Sequence, residues 1–193
     1  LGDVYKRQDY CNDNIILRDA RPEDARFIAW VVLTALDMDT EHLDLVTASV
    51  ADPESMYSWT NTVMAEADGK PVGCLVSYDG ARYEALRTRT WPTLWGGLDP
   101  EQVRLTPAET GPGEYYLDSM AVIPEYRGRG SVGKRLMQHV MRKATAQGHK
   151  NFALLVDVDK PRLEQYYAGL GFATQGTVDF FGHDFHKMTC AAD

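Results

Sequence analysis

Apolar residues recur along the chain with two different periods, which predict strands interleaved with helices. Residues 14–18 have the pattern of a short strand. Pro22 follows near a helix start, and apolar residues then return at the helical spacing. These apolar positions are Phe27, Ile28, Val31, Val32 and Ala35. A second helix is predicted within residues 52–59.

A hairpin and an interruption follow these helices. Residues 60–67 and 72–78 read as strands, with a turn at residues 68–71 between them. Residues 79–113 then break the strand pattern, and we expect a helix over residues 81–90 with irregular structure after it. A long insertion often carries specificity, but its tryptophans could equally cover exposed core. The sequence leaves both interpretations open.

The second half of the chain alternates between strands and helices. Strands are predicted at residues 114–123, 151–158, 172–178 and 185–189, and helices at residues 131–147 and 161–169. The near-continuous apolar run at 151–158 is typical of a strand inside a sheet, and the last two strands read as an antiparallel pair. The order of elements predicts an α/β fold with a sheet of mixed direction.

The length of 193 residues fits one domain, which we place at residues 14–193 with an insertion at about 79–113. Residues 1–13 show no periodicity, and we expect a disordered or non-native leader there. The net charge of −8 argues against nucleic-acid and acidic-membrane partners. Three cysteines without metal or redox spacing fit a reducing cytoplasm.

A glycine-rich turn at the start of the predicted helix 131–147 is the strongest chemical signal. Its sequence is Tyr-Arg-Gly-Arg-Gly-Ser-Val-Gly-Lys over residues 126–134. Unpaired N–H groups at a helix start, with the positive end of the helix dipole, form an anion site. The turn lacks the pattern of a nucleoside-triphosphatase loop, and it follows the fourth strand, whereas dinucleotide folds place theirs after the first.

Two blocks resemble the GNAT family of N-acetyltransferases. One is Val-Ile-Pro-Glu-Tyr-Arg-Gly-Arg-Gly at residues 122–130, and the other is Tyr-Tyr-Ala-Gly-Leu-Gly-Phe at residues 166–172. The resemblance implies a mostly antiparallel central sheet flanked by helices, with acetyl-CoA as co-substrate and its diphosphate in the glycine turn. The residues it implies for cofactor binding are Met120, Ala121, Val122, Arg127, Gly128, Arg129, Gly130, Ser131, Val132, Gly133, Lys134 and Lys160.

The chain departs from the family pattern at three places. One extra residue separates Gly130 from Gly133, and we assign it to the turn. Lys160 stands where the family often has Asn at the start of the last helix. The third departure is the insertion at 79–113, which replaces a tight hairpin.

Two residues are candidates for the chemistry. In the strand 114–123, a period of two predicts one shared face for Tyr116, Asp118, Met120 and Val122. Asp118 on this face is either a base, direct or through water, or an anchor for a cationic acceptor; the alternative is a structural carboxylate. The resemblance implies that Tyr167 is the general acid facing the thiol, and we expect adjacent Tyr166 to serve packing.

The expected activity is direct acetyl transfer from acetyl-CoA to a primary amine in a ternary complex. The acceptor is a small molecule or a peptide, and a homodimer is left open. His183 and His186 lie three residues apart on a predicted strand, so they fall on opposite faces and we expect no metal site. The alternatives are an acyl-CoA-binding sensor without transfer activity and, more weakly, a nucleotide-binding enzyme.

Overall fold

The computed structural model describes residues 14–94, 98–180 and 182–192. Its strands are β1 (Ile15–Asp19), β2 (Thr62–Ala67), β3 (Lys70–Asp79), β4 (Tyr115–Val122), β5 (Asn151–Asp157), β6 (Ala173–Phe180) and β7 (His183–Ala191). Its α-helices are α1 (Ala25–Ala35), α2 (Leu43–Ala51), α3 (Tyr83–Leu94), α4 (Pro100–Leu105), α5 (Val132–Ala146) and α6 (Pro161–Ala168). The predicted leader at residues 1–13 lies outside the described residues.

The seven strands form one sheet in the order β1-β2-β3-β4-β5-β7-β6. Among the described residues, β4 and β5 are the parallel neighbours and the other neighbouring pairs are antiparallel. The predicted fold, a mixed and mostly antiparallel sheet flanked by helices, is therefore confirmed. β4 and β5 pair only at Tyr115 with Phe152 and at Tyr116 with Ala153. Past these residues the two strands separate, and the free edge of β4 borders a gap in the sheet.

Apolar clusters cover both faces of the sheet. On one face α1, α2 and α3 bury residues such as Ile28, Val46 and Trp91 against β3 and β4. On the other face α5 buries Leu136, Met137, Val140 and Ala144, which recur at the helical spacing. None of the helices in the described part of the chain has both the length and the apolar character needed to span a bilayer.

The predicted second helix at residues 52–59 is wrong. The second helix of the structure is α2, which ends at Ala51. Residues 52–57 form successive turns and bends instead of a helix. Ser55 donates its backbone N–H to Asp52, and Ser58 donates to Ser55. Proline at position 53 has no N–H for a helical hydrogen bond, which favours these turns.

The insertion is more ordered than predicted. Its first helix, α3, extends to Leu94 with Pro92 inside it, and a second helix, α4, follows. α4 begins at a capping box: the side chain of Asp99 accepts from the N–H of Gln102, and the side chain of Gln102 accepts from the N–H of Asp99. This signal, Asp-Pro-Glu-Gln, is legible in the sequence and was missed by the expectation of irregular structure.

Candidate functional site

A cleft of about 670 Å³ opens between the free edge of β4 and the start of α5. Its walls come from the ends of α1 and β4, the glycine turn, the first turn of α5, and α6. The residues that line it are Thr34, Met120, Ala121, Val122, Tyr126, Arg127, Gly128, Ser131, Val132, Gly133, Lys134, Leu163 and Tyr166. Nine of the twelve predicted cofactor residues are therefore together on one surface.

The glycine turn takes a left-handed path into α5. Gly128, Gly130 and Ser131 have positive φ of 72°, 57° and 50°. Two successive left-handed residues fit the assignment of the extra residue to the turn, because α5 begins only at Val132. Glycine adopts this conformation without steric cost, whereas Ser131 incurs a cost of about 1 kcal/mol.

The turn also leaves a row of backbone donors unpaired. Within the described residues, the first helical hydrogen bond at this end runs from Arg135 N–H to the carbonyl of Ser131. In the part of the chain that the structure describes, no backbone acceptor takes the N–H groups of Ser131, Val132, Gly133 or Lys134. A row of free N–H groups at the start of a 15-residue helix is an anion site.

The edge of β4 contributes a second set of backbone groups. Ile123 donates its N–H to Val72 in β3. Because alternate residues of an antiparallel strand bond to opposite sides, the backbone groups of Met120 and Val122 point away from β3, into the gap beside β5. The side-chain Nε of Arg127 donates to the Val122 carbonyl at 2.9 Å, which fits this direction.

The other three predicted cofactor residues have different positions. Arg129 and Gly130 belong to the same turn but not to the cleft lining. Lys160 is at the start of α6, and its Nζ lies 2.5 Å from the carboxylate of Asp37. This ion pair joins the segment after α1 to α6, so Lys160 acts in the structure as a tether between two walls of the cleft.

The two neighbouring tyrosines of α6 face different surroundings. Tyr166 lines the cleft, and a Cβ added to Gly133 would lie 3.1 Å from its hydroxyl oxygen. Its ring also packs on that of Tyr167, with centroids 5.3 Å apart, and the expectation that Tyr166 serves packing stays a prediction. Tyr167 packs on Phe172 and on the cluster that includes Met120, and burial raises the pKa of its phenol. Its role as general acid stays a prediction.

A β-bulge in β4 changes which residues share a face. Val76 pairs with Ser119 and Ser77 pairs with Leu117, so Asp118 is the extra residue on the β4 side. Tyr116 packs with the cluster of α1, α2 and α3, whereas Met120 and Val122 pack with the cluster of α5. The single face predicted for these residues from a period of two is therefore wrong.

Asp118 lies at this bulge among hydroxyl donors. Tyr78 donates to its Oδ2 at 2.5 Å and Ser119 donates to its Oδ1 at 2.7 Å. Removal from bulk water raises the pKa of Asp118, and the two hydrogen bonds oppose this effect. No arginine pairs with it among the described residues. Its role as base or anchor stays a prediction.

A second carboxylate near Asp118 was not found from the sequence. Glu109, in the loop between α4 and β4, accepts hydrogen bonds from the hydroxyls of Tyr83, at 3.1 Å, and Tyr116. Desolvation, helped by the negative charge of Asp118, raises the pKa of Glu109 to about 7. A lone Glu in an irregular segment carries no motif, so only the fold reveals this site.

The C-terminal histidines occupy separate surroundings. Nε2 of His183 lies 2.9 Å from Asp157, and Nδ1 of His186 lies 3.1 Å from Glu164. Asp157, Asp159 and His183 place one potential ligand atom each within 4.8 Å of one another. Such groups are common on exposed surfaces without an ion, and the absence of a metal site stays a prediction.

The chain is similar to known acetyltransferases. The model of the "Acetyltransferase (GNAT) family" matches residues 23–172. An N-acetyltransferase from Staphylococcus aureus Mu50 superposes with a TM-score of 0.75 at 25% identity, covering 90% of this chain and 99% of the other. Another acetyltransferase superposes with a TM-score of 0.73 at 27% identity, covering 92% and 100%.

A more distant structure contains the cofactor. The PaiA N-acetyltransferase from Thermoplasma acidophilum, solved in complex with coenzyme A, has a TM-score of 0.59 at 16% identity over 92% of this chain and 99% of the other. This level of identity supports the fold alone. A search of the curated proteins finds no match. With the family model covering most of the chain, the protein belongs to the acetyltransferase (GNAT) family.

Proposed function

We propose that this protein transfers an acetyl group from acetyl-CoA to a primary amine by direct attack in a ternary complex. The observation that carries the proposal is the row of unpaired N–H groups at the start of α5, beside the free edge of β4. A diphosphate fits the first feature because helix N-termini attract anions. An extended arm carrying amide groups fits the second, since a strand edge offers both donors and acceptors.

The residues present fit acetyl-CoA along the whole cleft. The N–H groups of Ser131 to Lys134 would hold its diphosphate, with the side chain of Lys134 adding positive charge. Gly133 keeps the approach open, because any larger residue would place its Cβ against the Tyr166 hydroxyl. The backbone groups of Met120 and Val122 would hold the pantetheine arm. Arg127 must release the Val122 carbonyl for that contact to form.

The chemistry has one large demand and one small one. An alkyl amine with a pKa near 10.4 is neutral in roughly one molecule in 2,500 at pH 7, a handicap of about 4.6 kcal/mol. The departing thiol has a pKa of about 8.5, so its anion needs little assistance. Removal of the ammonium proton is therefore the step that most needs a side chain. Asp118 and Glu109 are the candidates, and Tyr167 is the candidate donor to the departing sulfur.

Two measurements test this function. In a thermal unfolding experiment, micromolar acetyl-CoA is expected to raise the melting temperature because it binds the folded state. In a thiol-release assay with a panel of primary amines, at least one amine is expected to release coenzyme A. A thermal shift without thiol release from any amine would favour the acyl-CoA-binding sensor. If ATP raises the melting temperature and coenzyme A does not compete with ATP for binding, the result would favour a nucleotide-binding enzyme.

A further inference from the structure

The cleft between β4 and α5 is the proposed cofactor cleft. A second cavity, of about 450 Å³, lies next to it. The two are adjacent at the end of α1, because Thr34 lines the cleft and Leu36, two residues later, lines the cavity. The cavity walls are largely apolar and include Met38, Tyr57, Trp91, Leu98, Phe180 and Phe185. This volume suits a small ligand rather than a polymer.

Glu109 is the carboxylate in the lining of this cavity. The hydroxyls of Tyr83 and Tyr116 hold its two oxygens, so its position is fixed from the protein side. The nearby guanidinium of Arg87 is occupied: it donates to Glu84 and to the carbonyls of Thr106 and Pro107. Within the described residues Glu109 forms no ion pair, although it borders a cavity that a cation can enter.

The aromatic walls add a preference for the body of the ligand. Trp91 meets Phe180 edge to face with ring centroids 5.6 Å apart, and Phe180 meets Phe185 in the same way at 6.4 Å. Such edge-to-face groups offer apolar surface to another ring or to a branched alkyl group. The Arg87 guanidinium lies over the face of Trp91, 5.7 Å from the ring centroid. A ligand that combines an apolar body with one positive charge matches both the walls and the carboxylate.

We propose that this cavity binds the acceptor, a primary monoamine with a compact aromatic or branched aliphatic body, and that Glu109 binds its ammonium group and accepts its proton. The inference rests on the proposed function and deepens it. A linear polyamine fits less well, because its additional charges would meet apolar walls where Glu109 is the lining carboxylate.

The proton and bond changes balance as follows. The ammonium nitrogen gives one proton to the ionised Glu109, which later releases it to solvent. The neutral nitrogen then forms a bond to the acetyl carbon while the carbon–sulfur bond breaks. The sulfur leaves with the bonding electron pair, and the second nitrogen proton ends on it as the thiol. The products are an N-acetylated amine and free coenzyme A.

The experiment compares two amines of different chemistry with the full-length protein. Phenethylamine represents the proposed class and putrescine represents linear diamines, and thiol release is measured with each at saturating acetyl-CoA. We expect kcat/KM for phenethylamine to exceed that for putrescine at least about tenfold. A preference for putrescine would overturn the inference and leave the proposed function standing. Coenzyme A binding without turnover of any amine would overturn both.

Variants test the role of Glu109 directly. Glu109→Gln is expected to raise KM for phenethylamine about tenfold or more and to remove the rise of kcat/KM with pH near 7, while the acetyl-CoA thermal shift is retained. Glu101→Gln removes an exposed carboxylate of the same insertion and is expected to behave as the unmodified protein. As a second probe of the walls, Phe185→Ala is expected to lower kcat/KM for phenethylamine more than kcat/KM for putrescine. An unchanged KM and pH profile in Glu109→Gln would overturn the assignment.

Discussion

Tyr116 donates its phenolic hydrogen bond to Glu109, so the strand that borders the proposed cofactor cleft also holds a carboxylate of the insertion. Tyr116 is almost fully buried, at 1% exposure, and its ring packs against Tyr78 and Tyr83. Tyr78 in turn donates to Asp118. The two carboxylates are therefore held by one group of buried phenols, and the negative charge of Asp118 raises the pKa of Glu109 further.

The raised pKa of Glu109 predicts how stability depends on pH. The folded protein holds this proton up to about pH 7, whereas an unfolded chain releases it near the ordinary value of 4.5. Between these values the folded state binds more protons, so the free energy of unfolding falls as pH rises. The fall from this group is on the order of 3 kcal/mol by pH 8.

Urea unfolding at pH 5 and pH 8 measures this effect. Glu109→Gln is expected to lose less stability between the two pH values, because glutamine does not ionise. Glu101→Gln, whose carboxylate is exposed and paired with Arg104, is expected to keep the dependence of the unmodified protein. If the free energy of unfolding changes equally between pH 5 and pH 8 in all three proteins, Glu109 keeps an ordinary pKa.

The two tyrosines of α6 are expected to separate binding from turnover. The hydroxyl of Tyr166 faces the start of α5, so Tyr166→Phe is expected to raise the Kd for acetyl-CoA several-fold with little change in kcat. Tyr167→Phe is expected to lower kcat about tenfold to a hundredfold with little change in Kd, as the loss of a proton donor to sulfur predicts.

Calorimetric titration of acetyl-CoA and steady-state kinetics with one amine provide these values. Each tyrosine variant is the control for the other, since both remove a single hydroxyl from the same helix. A higher Kd in Tyr167→Phe together with a lower kcat in Tyr166→Phe would assign binding to Tyr167 and proton donation to Tyr166. Unchanged turnover in Tyr167→Phe would remove Tyr167 from the mechanism.

The sequence was informative where local rules decide the structure. The glycine turn depends on backbone freedom and helix α5 on helical spacing, and both lie where the sequence predicts them, within one residue at each end of the helix. The bulge at Asp118 was not foreseen, because a period of two contains no signal for an extra residue. That one residue moves Met120 and Val122 to the face opposite Tyr116.

The candidate acceptor cavity depends on contacts between distant parts of the chain. Glu109 accepts one hydrogen bond from a tyrosine of α3 and another from a tyrosine of β4. The cavity walls come from segments as far apart in the sequence as Met38 and Phe185. Neither the spacing nor the composition of the insertion predicts this convergence. Asp118, by contrast, could be proposed from the sequence, because it lies on a strand that the sequence predicts.

Gly133 provides a test of the cofactor cleft. Its replacement by alanine places a Cβ 3.1 Å from the Tyr166 hydroxyl and 3.5 Å from Met120, within the space that the cofactor would use. Because a tyrosine side chain can move, the fold is expected to tolerate Gly133→Ala. The Kd for acetyl-CoA is expected to rise about tenfold, which corresponds to about 1.4 kcal/mol.

Isothermal titration with acetyl-CoA measures this change. Gly176→Ala is the matched control, since a Cβ at that position in β6 meets nothing within 4 Å and its φ is not in the left-handed region. The control is expected to bind as the unmodified protein does. Identical affinities for both variants would place the cofactor away from the start of α5.

Gly80 joins the insertion to the sheet and provides the last test. Its N–H donates to the Glu114 carbonyl at 2.8 Å. A Cβ at this position would lie 2.3 Å from the Gly111 carbonyl oxygen and 2.8 Å from that of Glu114. Both contacts are with backbone atoms, so Gly80→Ala must separate the two ends of the insertion. We expect a loss of about 2 to 4 kcal/mol in the free energy of unfolding, as severe overpacking predicts.

The same substitution is expected to weaken the amine site more than the cofactor site. Glu109 lies just before the displaced segment, whereas the glycine turn lies on the other side of β4. Gly80→Ala should therefore raise KM for the amine while micromolar acetyl-CoA still increases the melting temperature. Gly111→Ala adds a Cβ with nothing within 4 Å and controls for the loss of a glycine in the same loop. A rise in the Kd for acetyl-CoA in Gly80→Ala, with the amine KM unchanged, would contradict the separation of the two cavities.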